Sequence, residues 1–245
     1  MTITSRTNER VKSARALQQR KEREARGLHL IEGDKLVMEA IRSGAKIDTV
    51  FAREDAVCPV GCEVLIVSDS VMEAISTQKS PQSLCAVVRT PDTSCPEEYP
   101  QGLVIALDRL QDPGNLGTII RTADALGAAG LLLSSDSADP FSTKSLRAAM
   151  GSTYHLPVWI GNLVRELPRM KEQGFVCVCG HLQGSEKPPA RGDKTVLVIG
   201  NEGQGVSEEV TNLCIPYRFP MRGRAESLNA AVFAALMMQR LLDEH

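Results

Sequence analysis

The feature that most constrains the fold is a strand, helix and strand pattern that begins at Gly102. The run "GLVIALD" is apolar almost throughout, the loop "QDPGNLG" contains proline and glycine, and a helical stretch leads to Leu126 before "AAGLLLS". Two strands joined through a helix are parallel neighbours, and strands apolar along their whole length are buried on both faces. The sequence therefore predicts an α/β fold with a parallel sheet covered by helices on both sides.

Later stretches extend this sheet and close the chain. "FVCVCG" and "TVLVIG" are two more buried strands, and "NLCIPY" is a further one. The final helix covers residues 227–242, and its stretch "AAVFAALMM" is apolar on every side. A surface helix has a polar stripe, so this helix is expected to bury a second face within the chain or against another subunit. We expect a homodimer on this ground.

The first part of the chain predicts a smaller α/β domain. A charged helical segment covers residues 9–25, and the helix "KLVMEAIRSG" lies among the strands "LHLIEG", "IDTVFA", "EVLIVS" and "LCAVVR". The stretch "TPDTSCPEEYPQG" has three prolines and few apolar residues, as linkers do. Residues 1–92 are therefore predicted as one domain, residues 93–100 as a linker and residues 101–245 as the second domain.

Charge is unevenly distributed along the chain. The first 30 residues carry eight basic and three acidic side chains, although the net charge of the whole chain is −2. This asymmetry predicts a polyanionic partner, with a solvated helix face as the alternative.

Composition excludes several classes of protein. Seven cysteines without paired spacing are typical of reduced thiols, and they predict neither a disulfide framework nor a metal site. There is no apolar run of about eighteen residues and no apolar stretch of a signal peptide, so neither membrane insertion nor export is predicted. We expect a cytoplasmic protein.

The loop "VLVIGNEGQG" places a carboxylate, Glu202, among three glycines after a buried strand. The glycine spacing is not that of a dinucleotide-binding fingerprint, and the lysine of a P-loop is missing. Because Glu202 would repel a phosphate, a ligand here should be neutral or cationic, unless the carboxylate points at other groups. A plain tight turn is the alternative.

Two further stretches carry polar residues beside helices. In "NLGTIIRTADALG", Asn115 is predicted as a helix N-cap and Arg121 lies opposite the apolar stripe, where a solvated arginine is the alternative. In "FPMRGRAESLNAAV", Ser227 is predicted to cap the final helix and Asn229 to lie in its first turn. The three arginines near this loop suit contacts to a nucleic-acid backbone; they are Arg218, Arg222 and Arg224.

Together, and in this order, these stretches closely resemble the three signature motifs of the SpoU/TrmH family within the SPOUT class of RNA methyltransferases. "NLGTIIR" resembles the first motif, and "GNEGQG" matches the second without a departure. "FPMRGRAESLN" resembles the third, with Phe219 where an isoleucine is usual. The segment "SLRAAMGSTYHLPV" is also similar to the family, so the resemblance covers essentially all of residues 101–245.

The resemblance implies a fold that propensity alone would not propose. Family members have a parallel sheet whose C-terminal segment is threaded through a loop as a deep trefoil knot, and they are dimers with sites near the subunit interface. Residues 1–92 look like the family's accessory RNA-binding domain, which has a ribosomal-protein-like α/β fold.

The resemblance also implies transfer of a methyl group from S-adenosylmethionine to a ribose 2′-hydroxyl in RNA. Glu202 is then expected to hold Asn115 or nearby main-chain groups. The family account has Arg121 take up the 2′-hydroxyl proton or direct it to phosphate, whereas we expect it to bind the phosphate and hydroxyl of the substrate, because a guanidinium is a poor base. The implied catalytic residues are Asn115, Arg121, Glu202, Ser227 and Asn229. The implied cofactor-binding residues are Gly200, Glu202, Gly203, Phe219, Met221 and Leu228. The predicted RNA contacts are Arg6, Arg10, Lys12, Arg15, Arg147, Arg222 and Arg224.

Large-subunit ribosomal RNA is the favoured substrate, because the N-terminal part resembles the domains of ribosomal-RNA members. A transfer-RNA 2′-O-methyltransferase and a non-catalytic RNA-binding or assembly factor are the alternatives. A nucleotide-dependent enzyme of Rossmann type is a further alternative, against which the missing fingerprint after the first strand argues.

Overall fold

The computed structural model describes residues 2–187, 192–224 and 227–243. The chain forms two compact units, one made of residues 1–91 and 139–154 and the other of residues 92–138 and 155–245. Within the described residues, no helix has the length and apolarity needed to cross a membrane.

The N-terminal unit is a four-stranded sheet with helices on both faces. In the order β1-β4-β2-β3, β4 is antiparallel to both of its neighbours, and β2 is parallel to β3. One face packs against α1 and α4, and the other against α3 and α6. The elements are α1 (Glu9–Ala16), α2 (Arg20–Arg26), β1 (Leu28–Glu32), α3 (Asp34–Arg42), β2 (Ile47–Ala52), β3 (Val64–Ile66), α4 (Asp69–Ile75), β4 (Leu84–Arg89) and α6 (Thr143–Ala149).

The charged segment predicted as one helix over residues 9–25 is two helices. The first ends at Ala16 and is followed by Leu17, which is fully buried, and the second starts only after Gln19, whose backbone is extended. Residues 17 and 18 form a turn between the two helices, and the side chain of Leu17 packs there in the apolar cluster that α1 and α4 share with the sheet.

The two contact units differ from the predicted domain boundaries at two places. Residues 139–154 pack in the N-terminal unit, where Phe141 and Leu146 join the apolar cluster under β1 and β4. The stretch predicted as a linker packs in the other unit, where Tyr99 is buried and donates a hydrogen bond to Glu166. Burial of apolar side chains that look isolated in the sequence explains both differences.

The C-terminal unit contains the predicted parallel sheet, with six strands in the order β10-β8-β9-β5-β6-β7. All strands predicted for this part are present. Strand β7 and the helices α7 and α8 were not predicted from the sequence. The elements are β5 (Gly102–Leu107), α5 (Pro113–Ala125), β6 (Gly130–Ser134), β7 (Val158–Gly161), α7 (Leu163–Glu172), β8 (Val176–Ser185), β9 (Lys194–Ile199), α8 (Glu208–Thr211), β10 (Ile215–Tyr217) and α9 (Ala230–Asp243).

Helix α9 packs against α5 and β9, as expected for a helix with more than one apolar face. Its inner face is buried, and Ala234 and Met238 are completely inaccessible to solvent. On the outer face Val232 and Leu236 remain 49% and 41% exposed. One apolar face of the helix is therefore covered within the chain and the other is open.

Candidate active site

The site lies at the carboxyl edge of the parallel sheet, where ligand sites of open α/β folds occur. Strands β5 and β9 are direct neighbours, so the loops that follow Leu107 and Ile199 emerge side by side. The loop after β9 folds back through paired backbone hydrogen bonds between Asn201 and Gly205, 3.0 and 2.9 Å long. A Cβ on Gly200 would lie 2.2 Å from the backbone of Gly205, so only glycine fits there.

Glu202 links this loop to the loop after β5. Its Oε2 accepts a hydrogen bond from the backbone N–H of Gln111, and its Oε1 accepts one from that of Asp112, each 3.0 Å long. Oε1 also accepts a 3.0 Å bond from Nδ2 of Asn115. The expected contacts of Glu202 to Asn115 and to main-chain groups are thus confirmed.

The environment of Glu202 keeps its carboxylate charged. Partial burial raises the pKa of Glu202, but the hydrogen bonds from Gln111, Asn115 and Asp112 outweigh it, and the pKa lies below its usual value. Hydrogen bonds to a carboxylate favour its charged form. The site therefore presents a fixed negative charge whose oxygens are held by neutral donors.

Asn115 joins the glycine loop to the start of α9. Its Oδ1 accepts a 2.9 Å hydrogen bond from Nδ2 of Asn229. Oδ1 of Asn229 in turn accepts from the backbone N–H of Ala231 at 2.9 Å. One chain of side-chain hydrogen bonds thus connects Glu202, Asn115 and Asn229, one residue from each of the three motifs.

Two predicted helix caps are wrong. The N-cap of α5 is Asp112, which accepts from the backbone N–H of Asn115 at 2.8 Å, so Asn115 lies in the first turn. Helix α9 begins at Ala230 and is capped by Asn229, whereas Ser227 lies exposed before it. In each case another polar side chain, Asp112 or Asn229, occupies the N-cap position. The side-chain amide of Asn115 is therefore free to contact Glu202.

Arg121 lies on the exposed face of α5, opposite the buried stripe, as the periodicity predicts. It borders a groove between α5 and α9 that also includes Thr118, Thr122 and Gln239. Within the described ranges the side chain of Arg121 makes neither an ion pair nor a hydrogen bond, and it takes no part in the hydrogen-bonded chain through Glu202, Asn115 and Asn229. Its guanidinium is thus available to an anionic ligand.

The remaining predicted cofactor residues surround the same edge without bonding to Glu202. Gly203 is exposed, while Phe219, Met221 and Leu228 are half-buried. The ring of Phe219 packs edge-on against Phe233 of α9, with their centroids 6.4 Å apart. Residues 225 and 226 of the third motif lie outside the described residues.

The predicted RNA contacts of the N-terminal segment are mostly ion-paired. Arg6 pairs with Glu73 at 3.3 Å, Lys12 with Glu9 at 2.9 Å, and Arg10 with Glu63. Arg15 is exposed, as are Arg222 and Arg224 in the third motif. Arg147 donates from Nη1 to Oγ1 of Thr77 at 2.9 Å. Neighbouring acidic side chains therefore offset part of the positive charge that the N-terminal segment carries.

Sequence reasoning missed three residues that hold the glycine loop. Asp108 is buried and accepts a 2.7 Å bond from the backbone N–H of Ser207. Arg109 has a positive φ of 56°, which is unusual for a residue with a side chain, and bonds to Gln204 at 3.1 Å. Asn201 donates to the carbonyl of Arg109 at 2.8 Å. The signal in the sequence that could have pointed to this contact region is the charged pair Asp108 and Arg109, directly after the apolar run of β5.

No cluster of histidine, cysteine, aspartate or glutamate in the described part of the chain could hold a metal ion. All seven cysteines are free thiols.

Comparison with known proteins identifies the family. Residues 102–239 match the model of the SpoU rRNA Methylase family. This chain belongs to that family. Residues 8–86 match a second model, the MRM3-like substrate binding domain. The first match lies within residues 101–245 and the second within residues 1–92.

Relatives of known description are similar over nearly the whole length. The chain is 34% identical to the 23S rRNA (guanosine(2553)-2′-O)-methyltransferase RlmP of Bacillus subtilis, with 98% of each protein covered. It is 35% identical to an AdoMet-bound rRNA methyltransferase from Sinorhizobium meliloti, with a TM-score of 0.87 and 98% and 97% of the two chains covered. It is 27% identical to the SpoU methyltransferase AviRb from Streptomyces viridochromogenes in complex with AdoMet, with a TM-score of 0.86 and 96% and 97% covered.

Proposed function

We propose that the protein methylates a ribose 2′-hydroxyl of large-subunit ribosomal RNA with S-adenosylmethionine. The observation that carries this proposal is the hydrogen-bonded chain through Glu202, Asn115 and Asn229, which unites the three motifs of the family at one edge of the sheet. Two relatives that are described as rRNA methyltransferases support it, one of them with AdoMet bound, and so does the SpoU methyltransferase AviRb in complex with AdoMet.

The side chains of the site fit this cofactor. Glu202 is a charged carboxylate held by neutral donors, so the loop after β9 disfavours phosphate and suits a cation. Bound S-adenosylmethionine supplies a methyl group on a positively charged sulfonium. Gly200 and Gly203 allow close approach to the main chain, and Phe219, Met221 and Leu228 offer an apolar wall.

Arg121 orients the substrate in this proposal. A guanidinium keeps its proton at neutral pH, since its pKa exceeds about 12, so it is a poor base. It binds the substrate phosphate and hydroxyl as a fork of donors and stabilises negative charge as it develops on the 2′-oxygen. Ser227 and Asn229 complete the polar surroundings of the ribose.

The test is methyl transfer from radiolabelled S-adenosylmethionine to unmodified RNA. We expect labelling of a 23S rRNA transcript, and mapping of 2′-O-methyl groups should find one nucleotide that loses its methyl group in cells without the gene. Labelling of transfer RNA instead would move the substrate to the tRNA alternative. Cofactor binding without transfer to any RNA would favour the non-catalytic assembly factor.

We further propose that the protein is a homodimer that associates through the outer face of α9. The exposed side chains of Val232 and Leu236 support this, because apolar side chains one turn apart on an open helix face suit a second copy. Leu236→Glu should give a monomer in light scattering, and Leu182→Glu, at a residue 71% exposed on β8, is the matched control. A dimer that survives Leu236→Glu would exclude this interface.

Family membership also supports two proposals on topology and location. We propose that the C-terminal segment is threaded through a loop as a trefoil knot, and that the protein works in the cytoplasm, where ribosomal RNA is modified. A knotted chain should refold slowly after denaturation. Cleavage of the loop through which the C-terminal segment is threaded should remove this slow step.

A further inference from the structure

Five of the eight basic residues at the start of the chain pair with neighbouring acids, whereas Arg15, Lys21 and Arg26 form no ion pair within the described residues. Besides Arg6, Arg10 and Lys12, Arg20 pairs with Glu24 at 2.6 Å, and Arg23 is buried against Asp139. A paired cation offers less to a phosphate, because the new contact must replace the old one. Helices α1 and α2 are therefore a weaker anion-binding surface than their composition indicates.

A different surface of the N-terminal unit is built around the buried carboxylate of Glu32, which is only 5% exposed. Its Oε1 accepts bonds from the backbone N–H and Oγ1 of Thr77, 3.0 and 2.7 Å long. Its Oε2 accepts from Oγ of Ser76 at 2.7 Å and from Nε2 of Gln78 at 3.2 Å. Four donors from three consecutive residues thus fix the connection between α4 and β4, which we call the 76–82 loop.

The other end of the 76–82 loop is fixed as well. Oε1 of Gln82 accepts a 3.2 Å bond from the backbone N–H of Asp34, and Oδ1 of Asp34 accepts a 2.9 Å bond from that of Leu84. Burying a carboxylate is costly even when it is fully hydrogen-bonded. Surface loops held rigidly at both ends commonly carry a function, because a fixed backbone presents its outward side chains in one arrangement.

Two basic side chains lie at this loop, one from the loop itself and one from α6. Lys79 is exposed at its centre and makes no ion pair with any residue that the structure describes. Arg147 reaches the loop from α6, with one nitrogen 2.9 Å from Oγ1 of Thr77, and its other donors are not bonded within the described ranges. Oγ1 of Thr77 thus bridges the Arg147 guanidinium and the Glu32 carboxylate, which orients the arginine.

We propose that the 76–82 loop, with Lys79 and Arg147, is the surface by which the N-terminal unit grips the phosphate backbone of the RNA, in place of helices α1 and α2. A rigid loop that presents cations without an ion-pair partner suits phosphate oxygens, which accept hydrogen bonds from them. The inference rests on the proposed function, since it names the contact that holds the same RNA.

The experiment compares charge reversals in the full-length protein. Lys79→Glu alters the proposed surface, Arg15→Glu alters α1, and Lys46→Glu is the matched control at an exposed lysine between α3 and β2. Binding to an unmodified 23S rRNA transcript is measured over a range of salt concentrations. Binding of S-adenosylmethionine reports that the C-terminal unit is intact.

We expect Lys79→Glu to weaken RNA binding about tenfold, to lower the salt slope by about one, and to leave cofactor affinity unchanged. Lys46→Glu should stay within about twofold of the parent protein, as is usual for surface charges outside an interface. Lys79→Arg keeps the positive charge and should therefore bind the RNA as tightly as the parent protein.

A loss at Arg15→Glu that equals or exceeds the loss at Lys79→Glu would overturn the inference. Unchanged RNA affinity in Lys79→Glu would overturn it as well. That holds even if the loop is found to bind an acidic protein instead. If the parent protein methylates the transcript while Lys79→Glu behaves like the control, only this inference fails. If the parent protein neither binds nor methylates ribosomal RNA, the proposed function fails with it.

Discussion

Nδ2 of Asn229 lies 2.9 Å from Oδ1 of Asn115, although the two residues are separated by 114 positions. Because Asn229 caps α9 and Asn115 lies in the first turn of α5, this bond fixes the start of one helix against the start of the other. Asn115 also donates to Glu202, so the position of the glycine loop depends on both helices.

Glu202→Gln tests this network. The amide presents N–H donors where the carboxylate accepted from Gln111 and Asp112, so at least one backbone N–H loses its partner. An unmatched donor costs about 1–3 kcal/mol, and we expect cofactor affinity to fall about tenfold or more. Equilibrium dialysis with labelled S-adenosylmethionine measures it, with the exposed Glu209→Gln as control. Unchanged affinity and activity would show that the network is dispensable.

Arg121→Lys should separate binding from catalysis. Lysine keeps the charge but loses the planar fork of donors, so the developing alkoxide is stabilised less well. We expect kcat to fall about 100-fold while the affinity for S-adenosylmethionine is retained. Arg165→Lys on α7, where the side chain is 78% exposed, is the control. Turnover close to that of the parent protein would remove Arg121 from the mechanism.

The stability of the N-terminal unit should fall in acid because of His29. Burial, and then the charge of Arg23, lowers the pKa of His29 to about 3, so the folded protein keeps this ring neutral. Below its unfolded pKa of about 6.5 the unfolded chain binds a proton that the folded chain does not. The free energy of unfolding should therefore drop by about 1.4 kcal/mol per pH unit between roughly pH 6 and pH 4.

Hydrogen exchange of the β1 amides at several pH values measures this loss. His29→Gln should make the free energy of unfolding less dependent on pH in this range, since glutamine does not titrate, even if the variant is less stable overall. An equally steep acid slope in the variant would assign the effect to other groups.

Asp139→Asn should destabilise the N-terminal unit strongly. Arg23 and Asp139 are only 8% and 14% exposed at their side chains, so removing the carboxylate leaves a buried guanidinium without its counter-charge. We expect a loss of about 3 kcal/mol in the free energy of unfolding. Denaturant unfolding measures it, with the exposed Asp55→Asn as control. A loss below about 1 kcal/mol would mean that Arg23 finds other acceptors.

Sequence reasoning worked best where burial and motif spacing agree. The buried strands from Gly102 to Ser134 predicted the parallel sheet from a local pattern. The contact of Glu202 with Asn115 was expected from the family resemblance, since the glycine loop by itself left a plain tight turn open.

It worked least well where partners are distant in the sequence. The residues around Arg23 do not show that this one arginine is buried, because its partner Asp139 is 116 positions away. The Glu32 carboxylate and the 76–82 loop likewise meet only in the folded sheet. The caps at Asp112 and Asn229 depended on which of several nearby polar residues took the position.

The packing of residues 139–154 in the N-terminal unit bears on how the protein is made. As the chain leaves the ribosome, the first 91 residues emerge without Phe141, Leu146 and Tyr154, so one face of their sheet is covered by α3 alone. The rest of that face stays uncovered while β5, α5 and β6 are translated, so the N-terminal unit completes its core only after them. Maturation of the two units during synthesis is interleaved rather than sequential, and a chaperone that shields apolar surface would be needed most during this interval.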